Sequence, residues 1–125
     1  MGVYIFYYPV SDNHNRIGID VWPELLRCLR EVNEKDFKTL LNLPENGIID
    51  TDQVTELVEA FNNNEAMIFD WLYNLPEDYQ FDDSLTLALW EFVARLKDMN
   101  DNCPGLIQID VPRAIRSAEL RRPQK

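Results

Sequence analysis

The chain has 125 residues and a formal net charge of −10, with 46% hydrophobic and 11% aromatic residues. This composition excludes an acidic disordered chain, which would lack the large apolar residues, and fits one globular domain that buries a core without metal or disulfide support. The charge is uneven: residues 113–125 hold five basic residues against Glu119 alone, so residues 1–112 carry seven basic and 21 acidic groups, a net of −14.

Val3 to Tyr8 is β-branched and aromatic and is closed by Pro9, which predicts a strand, apolar on both faces and therefore central or flanked by helices. Ser11 to Asn15 is turn chemistry, and the alternation of Ile17, Ile19 and Val21 predicts a second strand hairpinned to the first. A first helix follows, capped at Asp20 or Trp22, with Pro23 in its first turn and Leu25, Leu26, Cys28, Leu29 and Val32 as its apolar stripe. Asn33 stops that helix and caps a second one over Glu34–Leu43, which Pro44 and Asn46-Gly47 break. Asp50 or Thr51 opens a third helix with Val54, Leu57, Val58 and Phe61 on one face. Asn62-Asn63-Asn64 separates it from a fourth, Glu65–Leu75, which is apolar nearly all round. Such a helix is either deeply buried or keeps an edge for a partner. After an acidic, aromatic loop (Pro76–Asp83), a fifth helix capped by Asp83 or Ser84 presents Leu85, Ala88, Leu89, Phe92, Val93, Leu96 and Met99 on one face and Leu87, Trp90 and Ala94 on another. Ile107, Ile109 and Val111 alternate as a last strand, and the arginine-rich end from Arg113 reads as a frayed helix or mobile tail. The predicted fold is α+β: about five helices on a small, mostly antiparallel sheet made of the N-terminal hairpin and the C-terminal strand. Residues 1–112 form a single acidic domain in this reading.

The chemistry-bearing residues are sparse. His14, the single histidine, sits in a polar turn, and Ser11, Ser84 and Ser117 each have a turn, cap or tail role, so no nucleophile has a base beside it. One histidine and two isolated cysteines do not make a zinc site, and four glycines form no phosphate-cradling loop. Residues 42–53 match two framework positions of an EF-hand loop, Gly47 sixth and Ile49 eighth, but Pro44 and Gln53 stand where ligands are needed. The outline therefore reads as an ordinary helix-turn-helix corner. No enzyme, cofactor or metal is expected. Cys28 and Cys103 read as reduced thiols, Cys28 on a buried stripe, and with neither a leader pattern nor a spanning apolar run the expectation is a cytoplasmic protein.

One stretch stands apart. From Thr39 to Ala94 there is no lysine, arginine or histidine, while twelve carboxylates occur. Aromatic residues lie among the acids, as in Asp70-Trp71-Leu72-Tyr73 and in the run Glu77, Asp78, Tyr79, Gln80, Phe81, Asp82, Asp83. Ordinary surfaces mix signs, and i,i+4 pairs of opposite sign stabilise helices, so a single-sign stretch bears on partners rather than on fold. The acidic body is repelled by nucleic acid and by anionic membranes, so the stretch reads either as a solvated face or as a surface that docks a basic protein. The expectation is a non-enzymatic acidic binding or inhibitor protein, of the kind exemplified by a toxin immunity protein or a nucleic-acid-mimicking inhibitor, docking a basic surface such as that of a nuclease or a nucleic-acid-binding toxin. Its predicted contact residues are Asp70, Trp71, Tyr73, Glu77, Asp78, Tyr79, Asp82 and Asp83, the acids steering and the aromatics anchoring. The alternative is a structural or adaptor subunit that self-assembles through its apolar fourth helix.

Overall fold

In the computed structural model, residues 2–8, 15–18, 20–76, 78, 82–102 and 105–112 are described. Along the chain they form β1 (Gly2–Tyr7), β2 (Asn15–Gly18), α1 (Trp22–Asn33), α2 (Lys38–Leu41), β3 (Ile48–Ile49), α3 (Thr51–Asn63), α4 (Glu65–Tyr73), α5 (Asp82–Asn102) and β4 (Ile107–Asp110). The strands pair in the order β2-β1-β4-β3, every pair antiparallel. Among the described residues the fold is thus five helices on a four-stranded antiparallel sheet, an α+β architecture.

The period of two along each strand sets the register. Val3 faces Ile17, Ile5 faces Ile109, and Ile49 faces Ile107, all buried, so one sheet face becomes the floor of the core. Tyr4, Phe6, Ile48 and Gln108 take the opposite face and are half-buried. β1 is central, as its two apolar faces require. The Tyr7 hydroxyl donates to the Met99 carbonyl (3.4 Å), tying the central strand to the long helix.

On that floor α5 presents Leu85, Leu89, Phe92, Leu96 and Met99, each fully buried. Burying a side chain of this kind contributes about 1.5–3 kcal/mol, which makes this stripe the main apolar contribution of a single helix. Aromatic rings cross the core from element to element. Trp22 of α1 meets Phe92 of α5 edge-on (6.0 Å), Phe92 meets Phe61 of α3 (6.0 Å), and Phe61 meets Phe37 just before α2 (5.0 Å). Cys28 is buried on the α1 stripe with a free thiol, and burial, then the Glu31 carboxylate, pushes that thiol up to about 12 from 9.0, with Arg27 opposing.

Several boundaries move from their expected places. α1 is preceded by Val21, whose N–H donates to the Gly18 carbonyl (3.1 Å), and not by a capping Asp20 or Trp22. Trp22 instead spends its side chain in the core. Asn33 does end α1, and its Oδ1 accepts from the Asp36 N–H (3.1 Å), but residues 34–37 are a turn and α2 is a single turn of helix. Asp50 caps α3 through a reciprocal pair: its carboxylate accepts from Gln53 N–H (2.8 Å), and the Gln53 side chain accepts from Asp50 N–H (3.0 Å). The expected helix-turn-helix corner contains a strand, β3, which extends the sheet beyond β4. Only Asn64 separates α3 from α4. Among the described residues no helix is long and apolar enough to cross a membrane. The expected tail from Arg113, the turn at residues 11–14 and Cys103 lie outside the described residues.

Candidate protein-docking face

α4 follows Asn64 directly and packs on α1 and α3 with Ile68 and Leu72 alone fully turned inward. At 100° per residue, that seam leaves the remaining apolar residues on two flanks. Met67, Trp71 and Leu75 fall toward α1, whereas Glu65, Phe69 and Tyr73 fall toward α5. Asp70 and Asn74 lie between them, exposed. The helix is not deeply buried: it is half seated in the core, with Met67, Phe69 and Tyr73 left exposed.

The α5 flank is the more open one. The Phe69 ring lies against Trp90 of α5, centroids 4.9 Å apart and planes tilted by 37°. Glu65, one turn before Phe69, shares a cleft of about 270 Å³ with Trp90, Ala94 and Lys97, so the two helices run in opposite senses here. Continuing that antiparallel path places Tyr73, one turn beyond Phe69, on the side of Leu87, one turn before Trp90. Tyr73 is 90% exposed, Leu87 60% and Phe69 49%. Polar groups border this apolar strip: Glu65 and Asp70 on α4, Asp83 and Glu91 on α5, all exposed, with Lys97 at one end.

The α1 flank is closed differently. Arg27 holds its guanidinium carbon 5.1 Å from the centre of the Trp71 ring. The same arginine donates from Nε to Glu24 (3.0 Å) and from Nη1 to Glu31 (3.5 Å), while the Trp71 indole N–H donates to the other Glu31 oxygen (3.4 Å). Beside them an open cleft of about 480 Å³ is lined by Glu31, Val32, Met67, Asp70, Asn74 and Leu75 together with Arg27 and Trp71.

The predicted contact residues therefore do not share one face. Trp71 turns into the α1 groove, Tyr73 stands on the opposite flank, and Asp70 lies between the two. Asp78 and Asp83 are exposed. Asp82 opens α5 in the backbone, and Glu77 and Tyr79 lie outside the described residues. The predicted contact set did not include Phe69, Leu87 and Trp90, which the structure places at or near the surface of the α4–α5 face. Their signal was present, since α4 is apolar all round and Leu87, Trp90 and Ala94 form a second apolar face on α5. Asp50 is committed to capping α3, and Asp52, Glu56 and Glu59 are exposed along that helix. Among the described residues no group of three or more histidine, cysteine, aspartate or glutamate side chains is placed to hold a metal ion. Comparison of the chain with protein-family models, with curated proteins and with solved structures found no match.

Proposed function

We propose that this protein is a non-enzymatic binding module that docks a basic protein surface on its α4–α5 face, as an inhibitor or immunity-type partner of a nuclease or another nucleic-acid-binding protein would. The observation that supports the reading is that Phe69, Tyr73 and Leu87 are exposed and Phe69 lies against the half-buried Trp90, while Glu65, Asp70, Asp83 and Glu91 are exposed on the same two helices. An aromatic centre with a charged rim is the usual anatomy of a specific protein interface, with the large rings supplying most of the affinity and the rim setting partner choice. Surfaces evolved to grip phosphates are basic and are matched by such a rim.

Self-assembly through the same strip is the second reading, favoured by the exposure of large apolar side chains on α4 and α5. Charge weighs against it. Two copies would bring together bodies whose residues 1–112 each carry a net of −14, so their approach is repulsive at low salt. Light scattering coupled to size exclusion, run at low and high salt, separates the readings. A monomer under both conditions is expected. Capture from the source cell with the wild-type chain, against a bait carrying Phe69→Ser and Leu87→Ser, is expected to recover a basic protein with the wild type alone. A salt-resistant dimer that the same two substitutions dissolve would transfer the face to self-assembly.

A further inference from the structure

The α1–α4 cleft lies on the other flank of α4 from the strip and shares only Asp70 with it, and its chemistry is already demonstrated by one of its own side chains. Arg27 stacks on Trp71 while Glu24 and Glu31 accept from its guanidinium. That arrangement combines an aromatic face with carboxylates at its edge, the setting in which a planar guanidinium gains both cation–π attraction and directed hydrogen bonds. Arg27 uses only part of it. The open cleft, about 480 Å³ in all, continues past Arg27 along Met67, Asp70, Asn74 and Leu75, room enough for the end of an arginine side chain. Met67, 47% exposed, gives this extension a soft and adaptable wall. Asp70 lines the same cleft as Glu31, and Arg27 is the one basic residue among its lining.

We infer that the α1–α4 cleft is an arginine-accepting pocket for the basic partner: an incoming guanidinium takes the Trp71 ring between Glu31 and Asp70 and competes with Arg27, which acts as a tethered surrogate in the free protein. The inference rests on the proposed basic partner but uses a different surface from the α4–α5 strip. Occupancy replaces one guanidinium by another on the same ring, and the incoming cation adds positive charge to a cleft in which Arg27 alone faces Glu24, Glu31 and Asp70. The competition also gives specificity, since a lysine ammonium lacks the planar fork that stacks and bridges at once.

The chain's three tryptophans make this testable by two-dimensional nitrogen–proton NMR of the full-length protein. Trp22 is buried and serves as a reference, Trp90 reports the strip, and Trp71 reports the cleft. Titration with a capped hexa-arginine peptide is expected to move the Trp71 indole signal saturably, and a hexa-lysine peptide is expected to bind more weakly. Arg27→Met should raise affinity for the arginine peptide about three- to fivefold by removing the competitor. Arg30→Met removes the same charge from an exposed site on the same helix and should change it less than twofold. Asp70→Asn should weaken binding about threefold. A shift confined to Trp90 would overturn the cleft inference and leave the docking strip standing. Equal gains from Arg27→Met and Arg30→Met would also overturn it, by reducing the effect to net charge. Concentration-dependent movement of Trp71 without peptide would assign the cleft to a second copy of the chain and overturn the partner assignment.

Discussion

Asn64 is a short polar residue on which three elements converge. It is 4% exposed, and its side-chain amide donates to Asp36 (2.9 Å) and to the Ala60 carbonyl (2.8 Å) while its oxygen accepts from Asn33 (3.2 Å). One side chain thus joins the end of α1, the turn before α2 and the α3–α4 junction. Asn64→Ala is expected to cost about 1–3 kcal/mol in urea unfolding, because the buried Ala60 carbonyl loses its side-chain donor and the links to Asn33 and Asp36 are cut. Asn64→Asp should cost more, since it sets a second carboxylate against Asp36 and removes the amide donor. Cys28 gives a second expectation at this scale. Its thiol stays protonated in the fold to about 12 while the unfolded thiol ionises from 9.0. Between those values the unfolded chain has bound fewer protons, so Cys28 contributes full stability below pH 9.0 and loses it as the pH rises toward 12. Mass mapping after maleimide treatment of native protein should find Cys28 unlabelled, and a Cys28→Ala variant should show a shallower alkaline loss of stability. Cys28 was readable from its place on a helical stripe. Asn64 was not, because three consecutive asparagines read as a polar linker and nothing local marks which one is buried.

Among the elements, those with a long period were legible and the short ones were not. The stripe of α5 and the alternation of β1 and β4 announce themselves because many residues repeat the same pattern. β3 has two residues, too few to show a period, and its evidence lies in what surrounds it. Gly47 is the one described residue type able to hold its φ of 70° without strain, its carbonyl accepts from Ile109 N–H (2.8 Å), and a Cβ there would drive into the Ile109 carbonyl. The glycine that outlines an EF-hand therefore exists to bring β3 onto β4. Gly47→Ala should destabilise by about 2 kcal/mol or more, combining left-handed backbone strain with a displaced sheet edge, as read from thermal unfolding. The oxygens of the same loop are committed elsewhere: Asn46 Oδ1 accepts from Ile48 N–H (3.0 Å), the Asn46 carbonyl from Gln108 (2.7 Å), and Asp50 caps α3. Calcium should accordingly leave the melting temperature unchanged, since no cage of free oxygens is available to bind it in the native state. A calcium-dependent rise of several degrees would contradict that assignment.

At the scale of the whole molecule, long-range charge and short-range apolar contact would divide the work of association under the proposed function. The acidic character was legible, being a property of composition. The docking strip was not, because Phe69 of α4 and Trp90 of α5 are brought together only when α5 closes the core. Charges act over a Debye length of ~8 Å at physiological ionic strength, so they are felt before contact and mainly set the rate of encounter. Aromatic and aliphatic anchors act at contact and mainly set the rate of release. Neutralising Glu65, Asp83 and Glu91 together, by Gln, Asn and Gln, should therefore slow association with a captured basic partner by roughly threefold to tenfold at low salt, and the difference should fade as salt is raised. Tyr73→Ala or Leu87→Ala should leave association nearly unchanged and speed dissociation about thirtyfold where the side chain is an anchor, which corresponds to about 2 kcal/mol. Neither set should unfold the protein, since the altered side chains are exposed; the loss of the first-turn carboxylates Glu65 and Asp83, about 0.3–1 kcal/mol each, is partly offset by relief of like-charge repulsion. Surface-plasmon kinetics at two salt concentrations reads both rates in one experiment. If the triple neutral variant associates as fast as wild type and keeps its salt dependence, the acids at the strip only solvate it, and the anchors alone would have to account for partner choice.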